Sequence, residues 1–142
     1  MRKPMKIPHL LKVLPVLLAL AGCGSLIGTP ETATTLNGLR AANGLTPLRS
    51  DAALTAMAGA HAADMARRDN LNHDGFKEQR GPQGARAENV AYGCKETACV
   101  IQQWSNSSGH RGNMLIPSLT RYGLASATSA SGKKYWALAL GE

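Results

Sequence analysis

Residues 122–140 read YGLASATSASGKKYWALAL, two runs suited to strands, Tyr122 to Thr128 and Lys134 to Leu140, on either side of a Ser-Ala-Ser-Gly turn. Strand-length runs separated by Ser and Gly are the pattern of a β-hairpin, so the chain is expected to end in an antiparallel pair. Working back from it, Pro117 closes one helical turn from His110 to Leu115, and Ser105 to Gly109 separates that turn from a helix over Thr97 to about Trp104. Val100 and Trp104 share a face of that helix. Glu88 to Gly93 reads as an extended piece, preceded by a polar loop through Gly75, Gly81, Pro82 and Gly84. Further back, Asp51 caps a helix whose Leu54, Met57, Ala58, His61, Ala62 and Met65 recur at three- and four-residue steps, ended by Asp69-Asn70 and Asn72. A short helix from Thr35 to Ala42, closed by Asn43-Gly44, and an extended link Leu45 to Leu48 complete the domain. Helices followed by a terminal antiparallel pair predict an α+β domain packed in layers, without internal repeats.

The length of 142 residues fits one domain, and 44% hydrophobic residues is ordinary for a globular chain. A net charge of +7 invites a nucleic-acid reading, but Arg2, Lys3, Lys6 and Lys12 all fall in the first 22 residues, which contain no acid. Beyond them twelve basic residues face nine acidic ones, with Arg67-Arg68 and Lys133-Lys134 as the only basic pairs. That is the composition of a solvated surface, and no nucleic-acid partner is expected.

Residues 1–22 have the form of a secretory signal: a basic start, then an apolar run from Val13 to Ala21 too short for a permanent membrane span. Leu20-Ala21-Gly22-Cys23 resembles the lipobox of bacterial lipoproteins, which implies diacylglycerol on the Cys23 thiol and cleavage ahead of it. A plain secretory signal or an uncleaved anchor is the alternative. Residues 23–31 then form a tether, and 32–142 the folded domain. The resemblance implies a lipid-anchored protein of the cell envelope, with Gly24 after the cysteine favouring the outer membrane in a Gram-negative host. Cys94 and Cys99 remain as an even pair in an oxidising compartment and read as a disulfide, with two free thiols as the alternative. A regular helix would hold residues five apart at about 8.7 Å, beyond disulfide reach, so the bond requires non-helical chain near Cys94, which Gly93 permits.

Several segments then fall into one order: Leu36-Asn37-Gly38-Leu39-Arg40, Leu48 and Asp51, His61-Ala62-Ala63-Asp64-Met65-Ala66, Leu71-Asn72-His73, Glu88-Asn89-Val90-Ala91, Trp104, Gly109-His110-Arg111-Gly112-Asn113-Met114-Leu115, Tyr122-Gly123 and Tyr135-Trp136. Over residues 32–142 this resembles the CAP superfamily of cysteine-rich secretory proteins, insect venom antigens and plant pathogenesis-related proteins, in particular its bacterial secreted branch. The resemblance implies a three-layer α-β-α sandwich with a mostly antiparallel central sheet. It also implies a cleft lined by His73, Glu88 and His110. The second glutamate of animal and plant members, three residues after the tryptophan, is replaced here by Ser107.

Two neutral imidazoles, His73 and His110, are suitable zinc ligands, and Glu88 is either a third ligand or an acceptor that fixes an imidazole tautomer. A hydrogen-bonded structural network is the competing role for all three. His61 lies on the apolar face of its helix and is read as a core histidine bonded to a backbone carbonyl. Ser107 and Ser108 lack a nucleophile elbow and are read as turn and capping residues. Arg111 is expected to pair with a nearby acid, and Asn113 with backbone. The function expected is a non-enzymatic binding or interaction module for a metal ion, small ligand or envelope component. A metal-dependent hydrolase acting on peptide or envelope polymer is the alternative, and a purely structural envelope protein a third.

Overall fold

The computed structural model describes residues 34–142; the leader, Cys23 and the whole of the tether lie outside the described residues. Four α-helices, α1 (Leu36–Ala42), α2 (Ala52–Arg68), α3 (Thr97–Ser105) and α4 (Ser108–Met114), surround four strands, β1 (Arg49–Ser50), β2 (Ala87–Tyr92), β3 (Arg121–Thr128) and β4 (Lys134–Gly141). The sheet order is β1-β3-β4-β2, with β1 parallel to β3 and the other pairs antiparallel. The expected terminal hairpin is β3–β4, whose register runs from Arg121 opposite Gly141 to Thr128 opposite Lys134.

Strand β4 is buried on both faces, and its alternation builds the layers. Trp136, Leu138 and Leu140 join Leu36, Leu39, Val100, Ile101, Trp104 and Met114 from α1, α3 and α4 in one core. Tyr135, Ala137 and Ala139 meet Leu54, Ala58, Ala62 and Met65 of α2 in the other. Small side chains on the α2 side let that helix lie close. The limit of the approach is Gly123, where a Cβ would overlap the backbone of Leu54 and Thr55. A glycine inside a strand is required there because another main chain occupies the space a side chain would take.

Local signals hold with small displacements. The side chains of Thr35 and Asp51 accept from the amides of Gly38 and Leu54, capping α1 and α2. Helix α3 starts at Thr97 as expected, with Glu96 before it making no side-chain capping bond, and α4 begins at Ser108, so the break between them shrinks to Asn106 and Ser107. The polar loop is more ordered than its composition suggests. Phe76–Arg80 winds as a π-helical turn, with the amides of Arg80 and Gly81 donating to the carbonyls of Gly75 and Phe76 at 3.1 and 2.7 Å. Phe76 packs on the α2 core, which anchors the turn.

Cys94 and Cys99 form a disulfide with 5.6 Å between Cα atoms. Gly93, at φ +99°, makes the non-helical turn that brings them together. The bond ties the start of α3 to the end of β2. Among the described residues no helix is long and apolar enough to cross a membrane.

Candidate functional site

Glu88 projects from edge strand β2 into a buried position, and a carboxylate there needs donors to replace water. Arg80 supplies two of them: Nε donates to Oε2 at 2.5 Å and Nη2 to Oε1 at 2.9 Å, a bidentate pair. The same guanidinium donates from Nη1 to the Asp74 carbonyl at 2.8 Å, which holds the chain after His73 against the site. The π-helical turn carries Arg80 into this position at its last residue.

His73 Nδ1 lies 3.0 Å from Glu88 Oε1. A ring nitrogen facing a carboxylate carries the proton, so the neutral imidazole keeps its lone pair on Nε2. The side chain of His73 is about half exposed (53%), so this nitrogen belongs to the accessible rim of the cluster. His61 Nε2 sits 2.9 Å from the Asn72 carbonyl and 3.6 Å from Glu88 Oε1. It donates to the carbonyl, which makes His61 the carbonyl-bonded core histidine that its helix face suggested. Burial pushes the His61 pKa below the usual histidine value, with Glu88 opposing and Arg80 reinforcing the shift.

His110 approaches from α4, on the other side of β2. Its carbonyl accepts from Asn89 Nδ2 at 2.9 Å, and Asn113 Nδ2 donates to Asn89 Oδ1 at 2.9 Å and to the Glu88 carbonyl at 3.2 Å. These bonds, with Asn89 fully buried, stitch α4 to the strand that carries Glu88. The His110 ring lines a cavity of about 210 Å³ together with Leu71, Val90, Tyr92, Trp104 and Ser107. Burial lowers its pKa, and His73 contributes in the same direction as a nearby positive charge. His73 and Glu88 are thus in direct contact, while His110 opens into its own cavity beside them. Among the described residues no three His, Cys, Asp or Glu side chains are grouped so as to hold a metal ion.

Asn113 bonds backbone, as expected. Among the described residues Arg111 pairs with no acid: its Nη2 donates to Asn43 Oδ1 at 3.1 Å, because α4 directs it toward the end of α1. Ser107 is the residue before α4, where its carbonyl accepts from the Arg111 amide at 2.8 Å and its hydroxyl makes no capping bond. The residue that sequence reasoning missed is Arg80. The available signal was electrostatic, since a carboxylate on a buried strand calls for a cation, and Lys77, Arg80 and Arg86 lie between His73 and Glu88. Only arginine makes the bidentate pair.

Fold and site together define a three-layer α-β-α domain with a His–Glu–Arg cluster at the edge strand. The model of the CAP family, described as the cysteine-rich secretory protein family, matches residues 34–140, and the chain belongs to that family. It is 33% identical over 104 residues to the uncharacterized protein YkwD of Bacillus subtilis, an alignment that covers 67% of this chain and 40% of that protein's length. An outer surface protein of Borrelia burgdorferi has the same fold, with a TM-score of 0.62 at 17% identity over 75% of this chain and 86% of that one. A cysteine-rich secretory protein of Staphylococcus aureus superposes with a TM-score of 0.55 at 21% identity, over 82% and 41% of the two chains.

Proposed function

We propose that this protein is a cell-envelope lipoprotein, anchored through Cys23, whose CAP domain is a non-enzymatic binding module facing an envelope component. In a Gram-negative host the anchor places it in the outer membrane. The observation that carries the reading is the state of Glu88: both carboxylate oxygens accept from the guanidinium of Arg80, and His73 engages one of them as well. A general base must reach the proton it takes, and this carboxylate, only 2% exposed and held by three bonds, is turned to the interior. Open to a ligand are the His73 rim, the cavity beside His110, and a depression of about 370 Å³ lined by His61, Asp64, Arg68, Asp74 and Arg80.

The test uses insoluble peptidoglycan sacculi. The expected result is that the protein partitions with the solid and releases no soluble fragments. Fragment release by wild type, abolished in a His73→Ala, His110→Ala double variant, would replace the binding module with the metal-dependent hydrolase.

A weak divalent-cation site at His73 and His110 is a second reading, favoured by the His73–Glu88 contact. A carboxylate on one imidazole nitrogen fixes the tautomer that offers the other to a metal. Zinc bound there would act as a Lewis acid or a cross-link between the two segments, with Glu88 outside its coordination shell. Two protein ligands make such a site weak, and protons compete with zinc for imidazole nitrogen as the pH falls. Calorimetry at about pH 7.5 is expected to show one zinc site that weakens at about pH 5.5 and vanishes in the double variant. Zinc affinity unchanged by removal of both histidines would refute it.

A further inference from the structure

Along the outer side of β2, next to the His–Glu–Arg cluster, two depressions of about 210 and 410 Å³ share Tyr92 and Gln103. We propose that together they form a binding groove for a neutral glycan chain, with the Tyr92 ring as the platform on which a pyranose stacks. The inference rests on the reading of the domain as a binding module and names the chemical class of its ligand.

The first support is the placement of exposed apolar surface. Among the described residues the exposed large hydrophobic side chains are Leu71 (39%) and Tyr92 (48%), and both line this groove. Tyr92 is held in place: its ring centroid lies 5.9 Å from that of Tyr135, and Lys133 Nζ sits 5.1 Å over it while also pairing with Asp69 at 3.3 Å. A fixed, half-exposed ring loses little conformational freedom on binding. Its electron-rich face suits the C–H face of a sugar.

The second support is the pattern of α3. Val100, Ile101 and Trp104 are buried, whereas Gln102, Gln103 and Asn106 turn outward and line the groove beside the disulfide. Their spacing places them on adjacent turns of one helix face. A side-chain amide both donates and accepts, which is what adjacent hydroxyls or an acetamido group require. Ser107 and His110 continue the polar row into the smaller depression.

The third support is charge. Among the described residues, those lining the two depressions include no Lys, Arg, Asp or Glu, in a chain with a formal charge of +7. The nearby cation, Lys133 over the Tyr92 ring, is already paired with Asp69, so an anionic lipid, nucleic acid or acidic peptide would have to compete with that carboxylate for it. An extended peptide adding a strand to β2 is also disfavoured. The carbonyls of Val90 and Glu88 already accept from Trp104 Nε1 at 3.1 Å and Asn113 Nδ2 at 3.2 Å, so the edge is occupied by side chains of α3 and α4.

The test titrates the full domain with the tetrasaccharides of N-acetylglucosamine and of glucose, followed by NMR or calorimetry. Binding of at least one is expected. It should weaken at least ten-fold in Tyr92→Ala, survive in Tyr92→Trp, and weaken in the Gln103→Ala, Asn106→Ala double variant, which guards against a folding defect at Tyr92. Absence of binding by both sugars at millimolar concentration, or binding indifferent to Tyr92→Ala and to the amide variant, would overturn the proposal. Retention on sacculi, measured in parallel, separates the two levels. Sacculi bound without tetrasaccharide binding removes the glycan assignment alone, whereas no retention of wild type removes the binding module itself.

Discussion

Two arginines are buried in this small domain, one on each side of the sheet, and they are satisfied in opposite ways. Among the described residues Arg40, fully inaccessible, donates only to carbonyls: Nε to Thr46 at 2.8 Å, and Nη1 to Met114 at 2.9 Å and Ile116 at 3.0 Å, with no partner for Nη2. Arg80 instead spends its strongest bonds on the Glu88 carboxylate. Carbonyls at the end of α4 carry partial negative charge and lack intrahelical partners, so the Arg40 guanidinium acts as a staple between that helix end and α1. Arg80 neutralises a full charge and delivers a carboxylate to two histidines. A buried cation thus serves two different ends in one domain: Arg40 ties main-chain segments together, whereas Arg80 holds a cluster of titratable side chains.

The largest effect is expected from Arg80→Met. Removing the cation strands a buried carboxylate, which costs about 3–5 kcal/mol at neutral pH. Urea unfolding should show this loss, and should show most of it recovered when Glu88→Gln is added, because the charge is then gone from both sides. Failure of the second substitution to restore stability would mean that the pair's packing, and not its charge, matters.

A smaller effect is expected from Arg40→Met. Three carbonyls lose their donor, at roughly 1–3 kcal/mol for the set once the buried guanidinium itself is also removed. No acid is left stranded, so the loss should be the same at pH 7.5 and 5.5. A pH-dependent loss would show that Arg40 has an acidic partner after all.

The smallest effect separates the two sides by titration. His61 and His110 are both held below the ordinary histidine value by burial, so the unfolded chain binds more protons than the folded one as pH drops through about 6.5. Stability is therefore expected to be fully present above that pH and to fall on acidification. In His61→Gln, which can still donate to the Asn72 carbonyl, urea midpoints at pH 7.5 and 5.5 should lie closer together than in wild type. An unchanged gap would assign the acid sensitivity elsewhere.

How much of this was legible beforehand depended on distance along the chain. The three- and four-residue recurrence in α2, its Asp51 cap, the Ser-Ala-Ser-Gly turn and the glycine beside Cys94 are all interactions within a few residues, and each acts as its residue types predict. Of the site, His73, Glu88 and His110 came from resemblance, and His61 from its place on a helix face. Arg80 did not stand out, because its role depends on a π-helical turn that no simple periodicity announces.

The sequence by itself determined the four α-helices, the terminal hairpin and the family, since these follow from propensity, capping and the order of short motifs, and it offered the Cys94–Cys99 disulfide that the structure contains. Tertiary structure alone decided which cation meets Glu88, that Arg111 turns to Asn43, and that Tyr92 and Gln103 share a groove. It also decided why Gly123 must lack a side chain, a requirement set by the α2 backbone some seventy residues earlier in the chain. The physical reason is common to all of these. Local structure depends on interactions within a turn or two, whereas the partner of a buried charge is whichever group the packing of distant elements brings within hydrogen-bond reach, as Arg40 meets Met114 across 74 residues of sequence.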